Sequence, residues 1–152
     1  MITTSNTLVG TDQLVDLLSD YPTLTYDGFG VCTRRRHRRT YEDRFGYARV
    51  ILTHTHSRRN IARLMQWIDQ WLYPRRTINH QANSYYLKHL AERGISTYCS
   101  NGEFICAALL AGYAHQPIGE LGLNAVFNMS SVAITAIEAA QKQANFRTAT
   151  TE

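Results

Sequence analysis

Residues 57–73 read SRRNIARLMQWIDQWLY, and in them Ile61, Leu64, Met65, Ile68, Trp71 and Leu72 recur at spacings of three and four until Pro74. That period places the apolar side chains on one face of an α-helix, which needs a core to lie against. Thr55 or Ser57 is expected to cap it, with Ile61, Leu64, Ile68 and Trp71 turned inward. No other segment has so complete a 3.6-residue period, so the fold is read outward from this helix.

Its natural partner is FICAALLAGY, residues 104–113, which is apolar all round and therefore belongs at the centre of the core. Ser100-Asn101-Gly102-Glu103 precedes it with Ser at N-cap and Glu at N3, the pattern of a capping box. A further helix is expected at SYYLKHLAER, residues 84–93, ended by Gly94. Thr11 followed by Leu14, Val15, Leu17 and Leu18 reads as a short capped helix stopped at Tyr21-Pro22. A last one runs from Ser131 to Ala144 with Ala133, Ala136, Ile137 and Ala140 on one face. Strands are expected near Thr23–Tyr26, at Tyr47–Thr53 (YARVILT, rich in β-branched residues) and at Asn124–Phe127, the last after a loop bracketed by Gly119 and Gly122. The fold class is thus α+β, a mainly helical single domain of about five helices with a small β-hairpin or sheet that carries an Arg-rich loop.

The chain's 152 residues suit one domain spanning 1–152, with residues 1–6 and 146–152 expected to be flexible ends. An apolar fraction of 44% against 18% charged fits a packed chain rather than a disordered one. Cys32, Cys99 and Cys106 are odd in number and lack a disulfide framework, and no basic-then-apolar leader opens the chain. These features point to a protein of a reducing cytoplasm. The longest apolar run, Phe104 to Ala111, is well short of the roughly 20 residues that cross a bilayer, so no membrane partner is expected.

Charge is unevenly spread. Twelve of the basic residues fall between Arg34 and Arg76, all of them Arg, against Glu42, Asp43 and Asp69. Fourteen of the sixteen cationic residues in the chain are Arg, a bias that suits forked contacts to phosphate, carboxylate or base edges. The sharpest cluster is TRRRHRRTYEDR, residues 33–44. Within it Arg34, Arg35, Arg36, His37, Arg38 and Arg39 repel one another by terms of order 1 kcal/mol at surface dielectric, and Arg44 follows closely. An anionic partner would relieve that repulsion; partial neutralisation by Glu42 and Asp43 on a solvated turn is the plainer alternative. On the 57–73 helix, Arg59, Arg63, Gln66 and Gln70 lie opposite the apolar stripe, with Trp67 beside Arg63. That face could follow a phosphate backbone while Trp67 stacks on a base, or it could be an ordinary solvated face. Arg75 and Arg76 would extend it into one continuous patch.

Other chemistry is poorly supplied. Residues 84–112 permit a helix-turn-helix, but FICAALLAGY has almost no side chain able to read a base edge. His54, His56, Cys99 and Cys106 lack the short pairing of structural zinc sites, so neither metal nor cofactor is expected. No nucleophile elbow, phosphate-binding glycine loop or paired carboxylates appear, which argues against an enzyme.

The stretch SYYLKHLAERG…YCSNGEFICAALLAGY…GLNAVFNMS, residues 84–130, resembles uncharacterised small proteins encoded by bacteriophages and plasmids, through Asn101-Gly102, Gly112-Tyr113 and Asn124. The resemblance covers about a third of the chain and leaves out the Arg-rich part. It implies a mobile-element origin and carries over no functional residue. Two roles follow for a non-enzymatic protein of that kind: binding DNA or RNA through the Arg-rich loop and helix face, or, as anti-CRISPR proteins do, binding a nucleic-acid-handling defence complex of the host.

Overall fold

The computed structural model describes residues 7–32, 39–119 and 122–150. These form six helices and two two-stranded antiparallel sheets, an α+β, mainly helical domain.

The 57–73 stretch is helical as its period demands, over Thr55–Trp71 (α3), with Ile61, Leu64 and Ile68 buried. Asn101–Leu110 (α5) packs against it, and its residues from Asn101 to Ala108 are all buried. The Ser100 hydroxyl accepts from Glu103 N at 3.0 Å, while Ser100 N donates to Glu103 Oε1 at 2.8 Å. This is the capping box, satisfying two backbone donors at a helix start that is itself buried. Leu64 is fully enclosed in the α3–α5 layer, so Leu64→Ala should lower stability by about 2–5 kcal/mol, read as an earlier urea midpoint with an unchanged slope.

Trp71 departs from the expected inward face. It shares the stripe's angular position, yet it sits in the last turn of α3 and is 43% exposed. Periodicity defines a face but not how far along the helix the neighbouring elements reach.

Ser84–Ile95 (α4) packs on both α3 and α5. It continues through Gly94, where an end was expected, and stops at Ser96 in the left-handed region with φ 54°. Gly94 is there for clearance: a Cβ would collide with the Trp67 indole, coming within 2.7 Å of its Cδ1. Thr11–Asp20 (α1) buries Leu14, Leu17 and Leu18. Its cap is Gly10, with no side-chain hydrogen bond, rather than Thr11.

The expected strand at 47–53 is a correction. Tyr41–Leu52 is a helix (α2), buried through Ala48 and Leu52. Thr40 caps it by accepting from Asp43 N at 3.2 Å, and Glu42 and Asp43 in the first turn suit the positive end of the helix dipole. Those cap signals and the tertiary fixing of Arg49, described below, outweigh the weak β preference of Val50, Ile51 and Thr53.

The hairpin is formed instead within residues 24–29. Leu24–Thr25 (β1) pairs with Gly28–Phe29 (β2), Leu24 opposite Phe29. The Arg-rich stretch comes after this hairpin in sequence, and its residues 33–38 lie outside the described residues. Asn124–Phe127 (β4) is a strand as expected, and it pairs with His115–Ile118 (β3), Ile118 opposite Asn124. The final helix, Ser131–Ala149 (α6), buries Ala133 and Ile137 but leaves Ala136 and Ala140 exposed. Phe146 to Ala149, expected as a loose end, continue this helix, whereas the other such end, residues 1–6, lies outside the described residues.

Candidate nucleic-acid interface

The arginines divide into those used to build the fold and those left for something else. Arg49 reaches from α2 to the end of α1 and the hairpin. Its Nη1 donates to the carbonyls of Tyr21, Pro22 and Leu24 at 3.1, 2.7 and 2.8 Å, and its Nη2 donates to Leu18 O at 2.8 Å. Arg58 Nε donates to Val9 O at 2.8 Å, and Arg75 donates to Thr77 O and Ile78 O at 3.0 and 2.9 Å. Arg44 Nη1 donates to Cys32 O at 2.9 Å, tying the start of α2 to the point where the chain leaves the hairpin. By contrast Arg63 and Arg76 are exposed and have no hydrogen-bond or ion-pair partner among the described residues. Arg39 is exposed and lies over the Tyr47 ring at 5.8 Å from its centroid. Arg34, Arg35, Arg36, His37 and Arg38 lie outside the described residues.

Trp67 must be removed from the expected binding face. It is only 5% exposed, packed on Gly94 of α4, so it has no free ring to stack on a base. Arg59 is half-buried, with its Nε enclosed and unpartnered. Arg75 and Arg76 follow the far end of the 17-residue α3, roughly 25 Å along its axis from the start. The Arg75 end of the expected patch is spent on local carbonyls, while Arg63, Gln66, Gln70 and Arg76 are exposed.

What sequence reasoning missed lies at the other side of Cys32. A cleft of about 400 Å³ opens there, lined by Tyr26, Asp27, Cys32, Tyr85, Lys88, Tyr98, Ser100, Asn101, Leu123 and Asn124. The hairpin turn supplies Tyr26 and Asp27, α4 supplies Tyr85 and Lys88, and the start of α5 supplies Ser100 and Asn101. The available signal was Lys88, placed among Leu87, Leu90 and Ala91 on the buried side of an otherwise amphipathic helix.

Lys88 is 4% exposed and needs its charge compensated. Its Nζ donates to Glu92 Oε1 at 3.0 Å and to Cys99 O at 3.1 Å, and it lies 5.3 and 4.7 Å from the Tyr85 and Tyr98 ring centroids. Burial works to raise the Glu92 carboxyl, but the hydrogen bonds from Lys88 and Cys99 N, the Lys88 charge and His89 outweigh it and hold it below its ordinary value. Asp27 is raised by burial, partly offset by the charge of Arg44. Tyr26 is pushed up to about 12, by burial and then by the charge of Glu103. Asn101 Nδ2 donates toward Asp27 O, Leu123 O and Asn124 Oδ1 at 3.0 to 3.3 Å, which fixes the amide's orientation. Its Oδ1 is buried without a partner.

Among the described residues no group of three or more His, Cys, Asp or Glu is placed to hold a metal ion. His54 and His56 are exposed at the start of α3, far from any cysteine in sequence, while Cys99 and Cys106 are buried. Burial pushes the Cys99 thiol up to about 12 and raises that of Cys106 as well. An alkylating reagent should accordingly modify Cys32 alone in the native protein and all three cysteines after unfolding, as counted by intact mass.

Among the described residues no helix is long and apolar enough to cross a membrane. The chain matches no family model, no curated protein and no solved structure, so its functional reading rests on the composition of the Arg-rich segment and the geometry of the cleft at Cys32.

Proposed function

We propose that the protein binds nucleic acid without catalysing a reaction, through the Arg-rich segment 34–39 and the surface on either side of it. The observation that carries this reading is a juxtaposition. The segment follows Cys32, a wall of a cleft lined with tyrosine and lysine, and precedes α2, whose Arg44 donates back to Cys32 O at 2.9 Å. Arginine forks next to aromatic faces are what a phosphate backbone with accessible bases requires. The arginines elsewhere support the reading by contrast. Arg44, Arg49, Arg58 and Arg75 are engaged by backbone carbonyls, whereas the five arginines around His37 repel one another, a cost that an anionic partner would relieve. Catalysis is left out because the sequence carries no nucleophile elbow, phosphate-binding glycine loop or paired carboxylates. The resemblance of residues 84–130 to phage and plasmid proteins supports a mobile-element origin.

Changing Arg34, Arg35, Arg36, Arg38 and Arg39 together to Ser tests the reading. Folding should be retained, because surface changes typically alter stability by no more than about 0.5 kcal/mol each. If about five phosphates are contacted, the logarithm of the affinity for duplex DNA should fall against that of salt with a slope near −4.5, and the variant should flatten it. Undiminished binding by the variant would remove the claim. A protein that ignores free DNA and RNA yet captures one host defence complex through these arginines would be an inhibitor of the anti-CRISPR kind instead.

A further inference from the structure

We propose that the cleft beside Cys32 receives one unpaired base of a single-stranded nucleic acid. This rests on the nucleic-acid reading above and adds the class of ligand and its seat.

Three properties of the cleft converge on a base. Its volume of about 400 Å³ lies at the small-ligand end of the usual range for pockets, roughly 300–1,000 Å³, and cannot admit a duplex. Its rim carries Tyr85 and Tyr98, which are 53% and 63% exposed although each lies against the same buried ammonium. Aromatic rings fixed by a neighbour but open to solvent are stacking platforms, and every base has a face to offer them.

The polar groups then select for a ligand with both donors and acceptors on its edge. Lys88 has three N–H donors, two of them used by Glu92 and Cys99 O, which leaves one for a carbonyl or ring nitrogen. Asn101 is only 8% exposed, its amide nitrogen is committed, and its Oδ1 lacks a donor. A buried acceptor left unmade is costly, and an amino or ring N–H group reaching it would remove that cost. Asp27 supplies a second acceptor on the same lining. A phosphate does not fit this set, because the Asp27 carboxyl stands on the same lining and the Lys88 charge is already paired with Glu92. Paired bases are stacked and have their edges occupied, so the ligand is a base outside a duplex.

The test is anisotropy of a labelled short oligodeoxynucleotide, single-stranded and as a blunt duplex, with the full chain. The wild type should bind the single strand more tightly. Tyr85→Ala combined with Tyr98→Ala should weaken single-strand binding by roughly ten- to a hundredfold, leaving duplex binding and its salt slope intact. The corresponding double change to Phe should restore it, since Phe keeps the ring. Should the Ala variant fail to fold, ultraviolet crosslinking of the wild type decides, with adducts expected on the peptides containing Tyr85 or Tyr98. A folded Ala variant that binds the single strand as the wild type does, or adducts found only elsewhere, overturns the base site while the salt slope keeps the arginine reading standing. A wild type that binds neither form fails both.

Discussion

Gly102→Ala is expected to lower the thermal midpoint by about 6–12 °C, the equivalent of roughly 3 kcal/mol in a domain of this size. Gly102 stands in the first turn of α5 where the backbone of the hairpin lies directly on it, and its N–H donates to Tyr26 O at 2.9 Å. A Cβ there would overlap the Thr25 carbonyl oxygen and come within 2.6 Å of the Tyr26 carbonyl group. Neither obstacle is a flexible side chain, so relief requires moving the hairpin off the helix. The same methyl group at Gly46, on the exposed side of α2 with nothing within 4 Å, should instead stabilise by about 0.5–1 kcal/mol, because alanine loses less backbone entropy in a helix. Calorimetry on the two variants checks a difference in sign. Equal shifts would mean that the hairpin and α5 are not in contact as described.

Arg49→Ala should cost about 2–4 kcal/mol, the largest loss expected from any single arginine. The guanidinium serves four carbonyls from three parts of the chain: the last turn of α1, the Tyr21-Pro22 link and β1. Helix α1 has no basic residue in its own last turn, so Arg49 supplies both donors and positive charge to its carbonyl end. Its partial burial disfavours the charged form, yet the four acceptors keep it in place. A change to Lys should recover only part of the loss, since one ammonium cannot span acceptors that a planar fork reaches together. Denaturant unfolding of the three proteins checks the order wild type, Lys variant, Ala variant. If the Ala variant were as stable as the wild type, α1 and α2 would have to be held together by Ala48 and Leu52 alone.

Helices α3, α4 and α5 were legible because their information is local. Ile61, Leu64 and Ile68 repeat at helical spacing, and Ser100 with Glu103 makes a cap within four residues. Residues 41–52 were not, since YARVILT carries a strand's composition and the forces that make it α2 come from elsewhere: the Thr40 cap and carbonyls of Leu18 and Leu24 that accept from Arg49. A side chain that finds its partners 25 and 31 positions away leaves no periodic trace.

The candidate site divides along the same line. The concentration of arginine between residues 34 and 76 is a property of the sequence, and its long-range electrostatics follow from composition alone. Which arginines are available is not. Arg49, Arg58 and Arg75 were indistinguishable from Arg63 and Arg76 until the backbone carbonyls around them were placed. Trp67 and Trp71 exchanged roles for a related reason, because α4 meets α3 at Gly94 and buries the first, while the second projects from the helix end. The cleft is tertiary throughout, since Asp27, Lys88, Asn101 and Asn124 come from four segments that meet only when the hairpin closes over the start of α5. By itself, therefore, the sequence determined the central helices and the sign of the surface charge, which depend on neighbours within a turn or on simple counts. Only the folded chain decided which charges are spent on backbone carbonyls and where an aromatic pocket opens, because both depend on contacts between residues far apart in sequence.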